Sequence, residues 1–310
     1  LMNLRTITKN LAFCKKDIAQ FNPDVIIYID YPGFNMRIAK WARQEGYKNH
    51  YYISPQIWAW KEGRIKAIKQ DVDAMYVILP FEKQFYEEKH NFPVHFVGHP
   101  LIDEISARTP VIPENFRKEH QLDERPIIAL LPGSRKQEIQ KMLEIMLSVT
   151  PDFPDYQFVI AGAPSQDLDF YEPFLKKNRV HIVMNQTYNL LDVAHAALVT
   201  SGTATLETAL FKVPEVVCYK GGRISYEIAK RVINLDYISL VNLIMDCEVV
   251  KELIQTEFNT KTLKKALAEI LEEEKRKALF SEYYKLEKKL GGVGASATTA
   301  ELIVNAIQSN

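Results

Sequence analysis

Apolar positions along the chain fall into short continuous runs, and between these runs apolar residues recur every three or four positions, so strands alternate with amphipathic helices. Residues 1–21 place Leu4, Ile7, Leu11, Cys14 and Ile18 on one helical stripe, with Arg5, Lys9, Lys15 and Lys16 off it. A first series follows, with strands at 24–29, 50–54, 74–79 and 94–97 separated by helices at about 36–46, 64–70 and 81–89. Such alternation predicts a parallel sheet with right-handed crossovers. Residues 98–126 carry four prolines and many charges, the composition of an interdomain connection. We therefore expect an N-terminal domain at 1–103, a linker at 104–125 and a second α/β domain at 126–275. Its strands are read at 127–132, 156–162 and 179–183, its helices at 136–149, 169–177 and 188–196. The stretch 198–219 then reads as buried strand, small-residue turn, helix and strand. Gly221-Gly222-Arg223, a helix near 224–233, the segment 236–244 and C-terminal helices broken at 291–296 complete the chain, which repeats one α/β plan twice.

Length and composition narrow the setting. A chain of 310 residues, 47% of them hydrophobic, can bury two cores. Lys plus Arg equals Asp plus Glu at 39 each, so no global field draws the protein to nucleic acid or to an anionic membrane. Cys14, Cys218 and Cys247 are far apart and lack metal spacing, which fits a reducing compartment, and the histidines form no metal pattern. No apolar run reaches the ~20 residues of a membrane span, so we expect a soluble or peripheral protein. The chain opens inside a helix with Leu ahead of its first Met, and it reads as having lost an N-terminal portion.

Candidate chemistry sits where predicted strands end. Ser201-Gly202-Thr203 joins a strand to a helix without a bulky side chain, so unpaired N–H groups and a positive dipole end suit a phosphate. With Gly202 or Thr203 as N-cap, Glu207 lies too deep for a capping box and is placed to accept sugar hydroxyls, or else it is a solvated surface residue. Leu131-Pro132-Gly133-Ser134-Arg135 repeats the arrangement: Ser134 with Gln137 fits a capping box, and Arg135 in the first turn opposes the helix dipole unless an anion offsets it. Gly221-Gly222-Arg223 is a weaker copy or a simple turn. Asp30 follows a strand at the edge where open α/β sheets bind ligands, and it reads equally as an N-cap. Trp58 and Trp60 stand beside Lys61 and Arg64, suited to packing or to lipid or sugar contact. Walker A, GxSxG and GxGxxG patterns are absent, which argues against an NTPase, an α/β-hydrolase and a dinucleotide enzyme.

Six motifs occur in series: Asp30-Tyr-Pro-Gly-Phe-Asn35, Ser54-Pro-Gln-Ile-Trp-Ala-Trp60, Val97-Gly-His-Pro100, Leu131-Pro-Gly-Ser-Arg135, Ser201-Gly-Thr-Ala-Thr-Leu-Glu207 and Ser239-Leu-Val-Asn-Leu243. In this order the chain closely resembles the lipid-A-disaccharide synthase family. The resemblance implies a GT-B glycosyltransferase with two Rossmann-like domains facing a cleft, no metal or other cofactor, and helices at 276–310 that return toward the N-terminal domain. It also implies an inverting transfer from UDP-2,3-diacylglucosamine to 2,3-diacylglucosamine 1-phosphate at the cytoplasmic face of the inner membrane, with monomer or homodimer left open. Carried over by residue, it makes Asp30 and Arg135 catalytic, and assigns Gly133, Ser134, Ser201, Gly202, Thr203, Glu207 and Asn242 to the nucleotide sugar. Asn35, Gln56, Trp58 and Trp60 fall to acceptor or lipid contact. The chain departs from the family at its start, which lacks the opening strand and Glu-Ala-Ser-Gly-Asp-type loop. Two rivals remain: a UDP-N-acetylglucosamine 2-epimerase on the same fold, and a non-catalytic UDP-binding remnant. For membrane contact the expected element is the opening helix, whose stripe reads alternatively as core-facing.

Overall fold

The computed structural model describes residues 2–178, 180–221 and 236–308, without the side chains of residues 2–4. Gly222, Arg223 and the helix expected near 224–233 lie outside the described residues. The chain divides into two compact units, Leu1–Asp103 with Lys289–Asn310, and Glu104–Lys288.

The first unit runs α1 (Met2–Phe21), β1 (Ile26–Ile29), α2 (Pro32–Gln44), β2 (Asn49–Tyr52), α3 (Ile65–Asp71), β3 (Ala74–Val77), α4 (Pro80–Gln84) and β4 (His95–Phe96). Its strands pair in parallel in the order β1-β2-β3-β4. Tyr28, Tyr51, Met75 and Val77 share a core with Ile38, Ala39, Ile65 and Ile68 of the helices. Leu11, Cys14 and Ile18 of α1 pack on that core, so the apolar stripe of the opening helix faces inward and Leu11 is not available to lipid. The large apolar residues α1 exposes are Phe13, which lies off the stripe, and Phe21 at its end.

Helix α5 (Pro100–Ser106) crosses the division. The second unit continues with α6 (Pro113–Glu119), β5 (Ile127–Leu131), α7 (Lys136–Leu147), β6 (Gln157–Gly162), α8 (Leu168–Asn178), β7 (His181–Met184), α9 (Thr187–Val193) and β8 (Ala194–Thr200). Next come α10 (Thr203–Leu210), β9 (Glu215–Tyr219), α11 (Leu240–Met245), β10 (Lys251–Ile254), α12 (Thr260–Leu271) and α13 (Glu273–Lys289). The stretch expected to be a linker thus holds α6 and belongs to this unit, while α13 ends it at Lys288. Of the described helices within 276–310, α14 (Ala295–Gln308) lies with the first unit. There the Asp103 carboxylate accepts the main-chain N–H groups of Gly294 and Ser296 at 2.6 and 2.9 Å, and Ile303 packs against Tyr76 and Val97.

Among the described residues the six strands of the second sheet are parallel, in the order β10-β9-β8-β5-β6-β7. Every residue of β5 and β6 is buried, as in a sheet covered on both faces. Chain order runs outward from β5 to β7, then returns to β8 on the other side. Strand order therefore reverses between β5 and β8, and a crevice opens at their carboxyl ends, where doubly wound sheets bind ligands.

Candidate functional site

At that reversal the structure holds a cavity of about 350 Å³, lined by Gly133 and Ser134 after β5, by Ser201, Gly202 and Thr203 after β8, and by Glu207. Both turns lead into helices whose first N–H groups have no partner within the helix. Gly133 has φ +100, and a Cβ there would collide with the Glu138 carboxylate of the first turn of α7. Gly202 has φ +155 and serves as N-cap of α10 without a side-chain cap. The Ser201 hydroxyl donates to the Ile238 carbonyl at 3.0 Å, and the Ser134 carbonyl accepts from the Ser165 hydroxyl at 2.6 Å, so main-chain contacts brace both turns.

Helix α7 begins at Lys136, where the sequence placed it, but its cap is not the one expected. Its N-cap is Arg135, with extended backbone and no side-chain cap bond, so Ser134 and Gln137 do not form a capping box. Arg135 is exposed, pairs with no carboxylate among the described residues, and is not part of the cavity lining. The site therefore collects Gly133, Ser134, Ser201, Gly202, Thr203 and Glu207, and leaves Arg135 beside it.

Glu207 is the fifth residue of α10 and half-buried. Its Oε1 accepts a hydrogen bond from the Tyr188 hydroxyl of α9 at 2.8 Å. Burial holds the Glu207 carboxyl above the usual carboxylate range; the Tyr188 bond opposes the shift and Glu104 adds to it. Burial also pushes the Tyr188 phenol up, so it remains a neutral donor. Behind them the Arg108 guanidinium lies 5.3 Å from both the Tyr188 and Phe211 rings and donates to Asn189 and Asp192. One carboxylate oxygen is thereby fixed to the protein. Sequence reasoning missed Tyr188, Arg108 and Glu138, because nothing local marks a tyrosine 19 residues from its acceptor.

Asn242 requires a correction. It is fully buried in α11, where its amide donates to the Val250 carbonyl and Glu252 Oε1, both at 2.9 Å. Its oxygen accepts from the N–H groups of Val249 and Val250 at 2.8 and 3.0 Å. Every donor and lone pair is taken, so Asn242 ties α11 to β10 and has nothing left for a nucleotide sugar.

In the first unit, Asp30 follows β1 at φ +45 and is followed by Tyr31 at φ +46. Tyr31, not Asp30, is the N-cap of α2, with Pro32 as its first residue. The Asp30 carboxylate is exposed, and no group among the described residues pairs with it. Asn35 turns inward from the same loop: its amide donates to the carbonyls of Ile29 and Asp30 at 3.1 and 2.7 Å, so it braces the turn and its amide N–H groups do not face an acceptor or lipid. Trp58 is likewise held, by an indole hydrogen bond of 3.1 Å to Glu82 and an edge contact with Phe81. Glu82, 1% exposed, also accepts from the Ser54 hydroxyl and from the N–H groups of Ile78 and Leu79, clamping the loop after β2 to the start of α4. Gln56 and Trp60 of that loop are exposed, and the Lys61 ammonium lies 4.2 Å from the Trp60 ring centre.

A family model described as lipid-A-disaccharide synthetase matches residues 1–304. The chain is 38% identical over 316 residues to the lipid-A-disaccharide synthase of Coxiella burnetii (strain CbuG_Q212), covering 100% of this chain and 83% of that protein. It is 38% identical over 315 residues to the lipid-A-disaccharide synthase of Syntrophus aciditrophicus (strain SB), covering 99% and 82%. Among solved structures, the UDP-GlcNAc 2-epimerase from Neisseria meningitidis bound to UDP-GlcNAc has a TM-score of 0.69 at 14% identity, covering 96% of this chain and 81% of that one. The last likeness is one of fold alone, the GT-B fold.

Proposed function

The chain belongs to the lipid-A-disaccharide synthase family, glycosyltransferases of lipid A biosynthesis, and from that premise we propose that it joins UDP-2,3-diacylglucosamine to 2,3-diacylglucosamine 1-phosphate with inversion, releasing UDP. The observation that carries this reading is the cavity at the reversal of strand order, with two helix N-termini and a half-buried Glu207. UDP occupies it. Its diphosphate meets the N–H groups after Gly133 and Gly202, and the free oxygen of Glu207 accepts the ribose hydroxyls. Arg135 swings onto the departing phosphate, where a guanidinium suits bidentate binding. Asp30 takes the proton of the acceptor 6′-hydroxyl as it attacks the anomeric carbon, and the bond to UDP breaks on the opposite face.

The diphosphate charge is met by arginine and main-chain groups, without a metal or other cofactor, so turnover survives EDTA. Both substrates carry acyl chains, and the enzyme works as a peripheral protein at the cytoplasmic face of the inner membrane. No helix among the described residues is long and apolar enough to cross a membrane. Gln56 and the exposed Trp60, flanked by Lys61 and Arg64, serve the acceptor or its lipid. Incubation with both substrates, followed by mass spectrometry and proton NMR of the product, tests the proposal. A β-1,6 disaccharide 1-phosphate with stoichiometric UDP is expected. An epimerised UDP-sugar, or UDP binding without turnover, would overturn it.

A further inference from the structure

Two consecutive residues with a Cβ, Asp30 and Tyr31, adopt left-handed backbone conformations that L-residues disfavour. The surroundings hold them there. The Asp30 N–H donates to the Tyr52 carbonyl at 3.1 Å. The Asp30 carbonyl accepts two hydrogen bonds, from the Tyr51 hydroxyl and the Asn35 amide, each at 2.7 Å. Asn35 also donates to the Ile29 carbonyl at 3.1 Å, and its own N–H returns to the Tyr31 carbonyl at 3.2 Å. Tyr51 is 0% exposed in β2, its ring centre 5.8 Å from that of Tyr28, so its hydroxyl has little freedom to move. Burial pushes this phenol up, which keeps it a neutral donor. Main-chain N–H and carbonyl are thus both engaged while the carboxylate is exposed, an arrangement that fixes a side chain's origin and leaves its reactive end open.

We propose that Asn35 and Tyr51 are positioning residues that lock the Asp30 main chain so that its carboxylate is presented at one place on the carboxyl edge of the first sheet. The inference rests on the reading of Asp30 as the base. Neither residue touches substrate in this account; each acts through the Asp30 carbonyl.

The test measures UDP release by the full chain carrying Asn35→Ala, Tyr51→Phe or Asp30→Asn, and each of the first two combined with Asp30→Asn. Loosening the base by an ångström or less should lower kcat about 10- to 100-fold, with KM for both substrates and UDP affinity by calorimetry unchanged. In the Asp30→Asn background neither substitution should lower kcat further, because the group through which it acts is already gone. Tyr51→Phe keeps the buried ring, so it serves if Asn35→Ala fails to fold. Wild-type kcat in the single variants, with Asp30→Asn inactive, would overturn the positioning role and leave the base intact. Losses that multiply in the Asp30→Asn background would also overturn it, since they indicate general damage. Near-normal turnover by Asp30→Asn would remove the base and the proposal together.

Discussion

The turn after β1 and the turns after β5 and β8 occupy equivalent places, each at the carboxyl end of a parallel strand, yet they are built from opposite residues. After β5 and β8 the positive-φ positions are Gly133 and Gly202, at +100 and +155. After β1 they are Asp30 and Tyr31, at +45 and +46. Glycine adopts such conformations without a steric penalty and lets main-chain N–H groups approach a ligand closely. A turn whose task is to present a carboxylate cannot be glycine. It must hold an L-residue in a region costing roughly 1–2 kcal/mol per residue, and the hydrogen bonds of Tyr51 and Asn35 offset that cost. On the functional reading proposed above, backbone recognition and side-chain chemistry leave different marks on the same kind of turn.

The sharpest way to break the comparison is Asp30→Gly. If the side chain is the reason for the strain, turnover should fall by ~10²–10⁴. Thermal stability should hold or rise by up to about 1 kcal/mol, since relief of strain exceeds the entropy lost on ordering glycine. Retained turnover would show that the turn is strained for another reason. In the second unit, Glu207→Gln and Arg135→Ala should each weaken UDP binding by ~1.5–3 kcal/mol, the usual loss of a charge-assisted hydrogen bond. Calorimetry checks this, and melting of Arg135→Ala should be unchanged because its exposed side chain pairs with no carboxylate among the described residues. A clear fall in melting temperature would mean that Arg135 has a structural partner.

Gly133→Ala probes the glycine side of the comparison. The added Cβ meets Glu138 and the backbone is strained, so stability should fall by about 1–3 kcal/mol, read by denaturant unfolding. Glu207 also predicts a pH dependence. Its pKa is raised by burial, so UDP affinity should decline as pH falls toward a midpoint above the ordinary 4.5, and Glu207→Gln should abolish that limb. The sign for stability is the reverse. The native state binds this proton more tightly than the unfolded chain does, so Glu207 lowers stability as pH rises from 4.5 through the folded value. The smallest effect is expected from Tyr31→Asn, which tolerates the left-handed region and should stabilise by about 0.5–1 kcal/mol without changing kcat.

What the sequence determined by itself is what local pattern encodes. Apolar runs and helical stripes placed β1 to β9, the small-residue turns at Gly133 and Gly202 marked the N-terminal ends of two helices, and the depth of Glu207 in its helix set it apart from a cap. Each of these depends on neighbours within a turn or two. The tertiary structure decided the rest, because the partners are remote in sequence. Asn242 resembled a ligand contact until β10 and Glu252 were seen to consume its amide, and β10 itself escaped notice because Lys251 and Glu252 interrupt its apolar run. Trp58 could be read as lipid contact or packing until Glu82, 24 residues on, was found to accept its indole N–H. Asn35 and Tyr51 gave no local sign of their tie to Asp30, and Tyr188 gave none of its tie to Glu207. Periodicity reports which face of an element is buried, whereas a hydrogen-bond partner is chosen by the packing of strands and helices that only the folded chain brings together.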